Sequence, residues 1–210
     1  MNFKERITKE SNLEINDSLS AYMGHAAQQN HNVYEVFYNF LNDVKPKRIL
    51  EIGTALGGFT KFLKLVSDEL NLDIKILSLD IHFNPWYVEM IDSGIDIRVE
   101  NVFNSDYTEV YDYVKNFIQS EGTTLVLCDG GDKVREFNLL SKYIKVNDFI
   151  MAHDYAENSE VFKQTVDKKI WNWHEISDSD IIHSCNENNV KIYQKENFEN
   201  VAWTCRRKEL

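Results

Sequence analysis

The chain has 210 residues, 43% of them hydrophobic, with 8 glycines and 2 prolines, below the roughly 7% and 5% of average usage. Collagenous, linker-rich and low-complexity designs are thereby excluded, and the length suits one domain around one sizeable core. Lys and Arg number 23 against 34 Asp and Glu, a net charge of −11, so no global positive field attracts nucleic acid or anionic lipid.

Residues Met1 to Ser11 are charged rather than apolar, and no run of about 18 apolar residues follows anywhere, so neither a signal peptide nor a membrane span is expected. Three cysteines, Cys128, Cys185 and Cys205, lie far apart and share no CxxC spacing. A disulfide framework and a structural zinc are disfavoured, and the expected location is cytoplasmic.

Within residues 1–45 nothing alternates like a strand, whereas Val33, Phe37, Phe40, Leu41 and Val44 recur at helical spacing. A helical N-terminal cap over 1–45 is expected, ending at Pro46, because the residue before proline avoids helical geometry and the ring removes a donor. Tyr22 to Gln29, carrying Gly24, reads by itself as an ordinary turn connecting to this helix.

From Lys47 short apolar runs alternate with helical stretches. Strands are expected at 48–52, 74–79, 95–99, 124–128 and 148–152, with helices at 60–70, 106–119, 133–143 and 160–170. Two further strands are expected near 173–176 and 201–205, and Arg206, Arg207 and Lys208 read as a solvated tail. Near-continuous apolar strands alternating with helices require a mostly parallel sheet covered on both faces. The fold class is therefore α/β, a doubly wound Rossmann-like sheet over 46–210 that forms one domain with the cap.

Scarce glycines make their placement informative. Gly53, Gly57 and Gly58 follow the first strand and open the first helix, at the crevice where open α/β sheets bind ligands. The pattern E-x-G-x-x-x-G, with Ala55 where a dinucleotide fingerprint needs glycine, disfavours a pyrophosphate. Glu51, acidic inside an apolar strand, suits a cationic ligand better. Asp80 ends the second strand, where a carboxylate can accept hydrogen bonds from ribose hydroxyls.

In this motif order the chain resembles the class I S-adenosylmethionine-dependent methyltransferases over about residues 46–155. It is especially similar to small-molecule and sugar O-methyltransferases, whose first motif reads like Ile49-Leu50-Glu51-Ile52-Gly53-Thr54. The resemblance implies S-adenosylmethionine as cofactor. Glu51 and Gly53 would border its aminoacyl part, Thr54 and Gly57 would join them in binding the cofactor, Asp80 would meet its ribose, and Ile81 and Asn101 its adenine. Thr60 stands near where many relatives carry serine, and the resemblance implies that Tyr22 to Gln29 forms a lid that covers the cofactor and lines the acceptor pocket.

Asp129-Gly130-Gly131-Asp132 closes the fourth strand and His153-Asp154-Tyr155 the fifth, so both groups should reach one crevice. The resemblance implies that Asp129 and Asp154 hold a divalent metal, Mg2+, which would lower the pKa of an acceptor hydroxyl. Without metal, Asp129 would lie near the sulfonium and the acceptor, with Asp154 binding substrate. Asp129, Asp132 and His153 are the candidate catalytic residues; Asp132 occupies the position of a catalytic histidine in sugar O-methyltransferases, and His153 has the intrinsically suitable pKa.

Lys133 and Arg135 read as solvated helix charges, or else as partners of an anionic acceptor. Trp86, Trp171 and Trp173 read as core, or as walls of a planar or sugar site. The expectation is an O-methyltransferase acting on a small hydroxylated acceptor (sugar, glycan or natural product), with a homo-oligomer left open. The alternative is a non-catalytic module of the same fold that binds the cofactor or serves in assembly.

Overall fold

The computed structural model describes residues 14–16, 19–22 and 25–210. Its centre is a seven-stranded sheet of β4 (Arg48–Ile52), β5 (Lys75–Asp80), β6 (Asp96–Val99), β7 (Thr124–Cys128), β8 (Phe149–Ala152), β9 (Val190–Ile192) and β10 (Thr204–Lys208). The spatial order is β6-β5-β4-β7-β8-β10-β9. Strands β4 to β8 pair in parallel, and β10 runs antiparallel to both β8 and β9.

Every residue of β4, β7 and β8 is buried, which explains their lack of alternation. Successive side chains nevertheless serve opposite faces. Ile49, Leu125, Leu127, Phe149 and Met151 join one core cluster, and Leu50, Val126, Cys128, Ile150 and Ala152 the other.

The helix Val33–Val44 contributes Phe37 and Phe40 to the first cluster. Phe37 meets Phe59, Phe198 and Trp203 edge-on, and Phe40 meets Phe149 and Phe198 likewise. This helix ends at Lys45, in left-handed geometry with its N–H donated to Leu41 O at 2.9 Å, directly before Pro46.

Several expectations require correction. The cap is not wholly helical: β1 (Glu14–Asn16), β2 (Leu19–Tyr22) and β3 (His25–Ala26) form a three-stranded antiparallel sheet before the helix. Within the lid stretch, Met23 and Gly24 lie outside the described residues. The 106–119 helix begins only at Asp112, after turns in which Asn104 Oδ1 accepts from Thr108 N at 3.1 Å. The 160–170 helix is a short Ser159–Val161 turn running into a π-helix at Phe162–Val166. Around 173–176 the described residues form a single bridge, Tyr155 to Ile176, rather than a strand.

The tail Arg206–Lys208 is not a free solvated end, for Arg206 is buried and Arg207 and Lys208 are half-buried. It lies within β10, with Arg206 buried and its guanidinium paired to Asp178. The helix Asp178–Glu187 was not expected because its apolar residues are few; its start is marked by the Ser177 and Asp180 capping box. All three cysteines are free and buried, and no helix among the described residues is long and apolar enough to cross a membrane.

Candidate functional site

Strand order reverses at β4, which lies between β5 and β7 although both follow it in sequence. Parallel registers align Ile52 with Leu79 and with Cys128, so the three strands end together and place Gly53, Asp80 and Asp129 around one crevice, where such sheets bind ligands. Gly53 N donates to Leu79 O at 2.8 Å and Asp129 N to Ile52 O at 3.0 Å. Gly53 has φ +95°, and a Cβ there would lie 2.1 Å from Asp129 O. Only glycine permits both the turn and this approach.

Two cavities open here, of about 430 and 420 Å3, each within the usual range of about 300–1,000 Å3 for small-molecule sites. They share Gly53, Ala55, Asp129 and Gly130 as a common wall. Asp80, Ile81, Asn101, Asp132 and Arg135 line the second cavity, while Lys133, His153, Asp154, Trp171, Trp173 and Glu175 line the first. Of the three proposed catalytic side chains, Asp129 alone faces both.

In the second cavity Asp80 is fixed by backbone donors, Ala55 N to Oδ2 at 2.7 Å and His82 N to Oδ1 at 2.9 Å. Each oxygen retains a lone pair for a ligand hydroxyl. Ile81 is 61% exposed and offers an apolar surface. Asn101 Oδ1 accepts from Phe103 N at 2.9 Å, which leaves its amide N–H groups as the donors toward a ligand. Arg135 lies over the rings of Phe103 and Tyr107.

Some expected contacts are displaced. Glu51 is buried beneath the glycine turn and lines neither cavity. Its Oε2 accepts from Thr60 Oγ1 at 2.6 Å and Ser78 Oγ at 2.5 Å, and Thr54 Oγ1 meets Ser78 Oγ at 2.6 Å. Burial pushes Glu51 up to about 7 against the pull of these hydroxyls. Thr54 is itself buried and borders the first cavity. Gly57 is outside both cavity walls; at φ +79° it lets the next helix start, where a Cβ would strike Met90. Asp132, expected beside the acceptor, caps the helix Lys133–Leu140 by accepting from Arg135 N at 3.1 Å and faces the Asp80 side.

The first cavity contains the densest polar network. Asp129 Oδ1 faces His153 Nδ1 at 3.0 Å, and Oδ2 accepts from Gln29 Nε2 at 2.7 Å. A carboxylate can only accept, so this contact assigns the His153 proton to Nδ1. The imidazole stacks on Trp203, whose indole N–H donates to Gln29 Oε1 at 2.8 Å. Asp154 is held at φ +56°, a conformation unusual for a residue with a side chain. Its Oδ1 accepts from the Trp171 indole N–H. Burial opposes ionisation of Asp154, but the neighbouring His153 and Lys133 outweigh it and lower its pKa.

Lys133 is 7% exposed, not solvated. Its Nζ lies 2.8 Å from Asp154 Oδ2, 2.9 Å from Glu175 Oε2, 2.9 Å from Gly130 O and 3.8 Å from Asp129 Oδ1. Although burial opposes its charge, Asp129 and Asp154 more than compensate and raise its pKa. Among the described residues, Asp129, His153 and Asp154 form a trio whose ligand atoms fall within 4.8 Å of one another, so the fold does bring the two expected metal ligands together. Tyr155 is turned away, its hydroxyl donating to Asp178 at 2.7 Å.

Sequence reasoning had Gln29 only as the end of the lid stretch and missed Trp203; these two hold Asp129 and His153 in place. No local pattern marks them, because they act across 100 and 50 positions of chain. Of the three tryptophans, Trp171 is 2% exposed and serves Asp154, Trp173 is 46% exposed along the first cavity, and Trp86 borders neither.

A family model described as rhamnosyl O-methyltransferase/CmcI matches residues 18–202. Among curated proteins, none matches the chain. Among solved structures, a CmcI structure with SAH superposes with a TM-score of 0.62 at 9% identity, covering 100% of this chain and 93% of its own. A CmcI structure with Mg-SAM gives 0.61 at 10% identity, covering 90% and 76%. An O-methyltransferase family protein from Burkholderia thailandensis gives 0.52 at 7% identity, covering 84% and 56%. At such identities these likenesses concern the fold.

Proposed function

Because the chain belongs to the rhamnosyl O-methyltransferase/CmcI family, and is thus an S-adenosylmethionine-dependent methyltransferase, we propose that it methylates a hydroxyl of a small polyhydroxylated acceptor such as a sugar. The observation that carries this reading is the position of Asp129, the carboxylate shared by both cavities.

The second cavity receives the adenosine, with the ribose hydroxyls donating to Asp80 and the adenine against Ile81 and the Asn101 amide. The methionine end runs over Gly53 and Ala55 toward the common wall. The acceptor enters the first cavity, where Trp173 offers a flat apolar face and Glu175 a carboxylate for neighbouring hydroxyls. This pairing suits a ring with one apolar face and polar edges.

Methyl transfer from a sulfonium is an in-line displacement in which the cofactor supplies the reactive group and the protein mainly supplies orientation. As the new C–O bond forms and the S–C bond breaks, the attacking oxygen becomes strongly acidic, so an ordinary carboxylate suffices as base. Asp129 accepts that proton, aimed by Gln29 and His153. His153 acts by positioning, with its Nδ1–H on Asp129. No step is assigned to a divalent cation, because the Lys133 ammonium already lies against Asp154.

Methyl transfer from labelled S-adenosylmethionine to a panel of sugars and hydroxylated aromatics tests the reading. Asp129→Asn should lower kcat by about 10²- to 10⁴-fold while calorimetric affinity for S-adenosylmethionine stays within a few-fold. Cofactor binding without turnover on any hydroxylated acceptor would favour the non-catalytic alternative. Absence of cofactor binding would end both.

A further inference from the structure

The two aspartates that the resemblance assigns to a metal already hold a cation of the protein's own. Each of their four carboxylate oxygens has one protein partner, Gln29 and His153 on Asp129, Trp171 and Lys133 on Asp154, and the partner on Asp154 Oδ2 is itself a cation.

Lys133 cannot readily withdraw. It opens the helix Lys133–Leu140, is 7% exposed, and its three ammonium protons match three acceptors at 2.8–2.9 Å: Asp154 Oδ2, Gly130 O and Glu175 Oε2. A magnesium ion needs oxygen ligands at about 2.0–2.1 Å in near-octahedral geometry. Seated on Asp154 Oδ2, it would lie against a buried ammonium of the same sign, with the intervening distance too short for water to screen the repulsion. Displacing the ammonium instead would break three charge-assisted hydrogen bonds and strand a buried cation. As arranged, the residues do not fit a divalent cation.

We propose that the Lys133 ammonium permanently occupies the place of the divalent cation in this chain, so that its methyl transfer is metal-independent. Lys133 then acts as a positioning residue: it anchors Asp154 in its left-handed conformation and holds Glu175 on the acceptor wall. Metal-independent transfer and the acceptor wall rest on the methyltransferase reading above, whereas exclusion of metal is a property of the folded site.

The test titrates Mn2+ into the full chain and follows free Mn2+ by electron paramagnetic resonance, with and without S-adenosylmethionine. The wild type is expected to leave the free-ion signal unchanged at millimolar Mn2+. Lys133→Met, which keeps the stem and deletes the charge, is expected to gain a site at least tenfold tighter, lost again in Lys133→Met/Asp154→Asn. Methyl transfer by the wild type should be indifferent to EDTA. A wild-type Mn2+ site that Asp154→Asn removes would overturn the proposal, as would EDTA-sensitive transfer restored by Mg2+. A folded Lys133→Met that gains no site would overturn it too. Should Lys133→Met not fold by circular dichroism, the wild-type titration decides alone. Calorimetry with S-adenosylmethionine on the same wild-type sample separates the two claims, since absent cofactor binding rejects the function and leaves the Mn2+ result standing.

Discussion

Glu51→Gln is the substitution with the most calculable consequence. Glu51 is 2% exposed, and burial lifts its pKa from 4.5 to about 7 despite the hydroxyls of Ser78 and Thr60. A group whose folded pKa is raised binds its proton more tightly in the folded state. Its contribution to stability is therefore complete below about pH 4.5 and disappears as pH rises through about 7. At about 1.36 kcal/mol per pH unit, the wild type loses about 3 kcal/mol across that window through this residue alone. Burial also lifts Glu136 to about 7, which adds a parallel loss, so the informative quantity is wild type minus variant.

Glutamine keeps the shape, cannot ionise, and can still meet two hydroxyls that rotate to suit. Urea unfolding followed by tryptophan fluorescence, from pH 4.5 to 8.5, gives both curves. The wild-type advantage over Glu51→Gln should fall by about 3 kcal/mol between the two ends, with the variant at least as stable as wild type at pH 8.5. Parallel curves would refute the claim that a buried, protonatable carboxylate supports the glycine turn.

Asp80→Ala should weaken calorimetric affinity for S-adenosylmethionine by about 10- to 100-fold, the loss expected for hydrogen bonds to a charged group; unchanged affinity would remove Asp80 from the ribose site. Gly53→Ala combines a forbidden φ of +95° with a Cβ 2.1 Å from Asp129 O. It should cost more than about 2 kcal/mol in urea unfolding, and an unchanged midpoint would show that the turn relaxes freely.

Much of the fold was legible from the sequence because its signals are local. Apolar runs such as Leu125-Val126-Leu127, too continuous for a half-exposed strand, announce a sheet covered on both faces, and Pro46 stops the preceding helix by its own covalent geometry. The spacing of Glu51, Gly53 and Asp80 marked a cofactor crevice for the same reason, since a turn that needs glycine and a strand that ends in a carboxylate are written in consecutive residues. Where local signals were weak, the reading failed. The polar helix Asp178–Glu187 and the small N-terminal sheet show little periodicity, and Arg206 looked like solvated tail until Asp178 was brought against it.

What the tertiary structure alone decided is which charges face each other. The sequence by itself determined that Asp129 and Asp154 end neighbouring strands and that Lys133 opens the next helix. It carried no information that the Lys133 stem would fold back beside Asp154, that Asp132 would turn to the other cavity, or that Gln29 would reach Asp129 from the cap. Those outcomes depend on side-chain directions and helix placement, and the energy of an ion pair depends on a separation of a few ångströms and on burial. Neither quantity exists until the sheet and its cap are assembled.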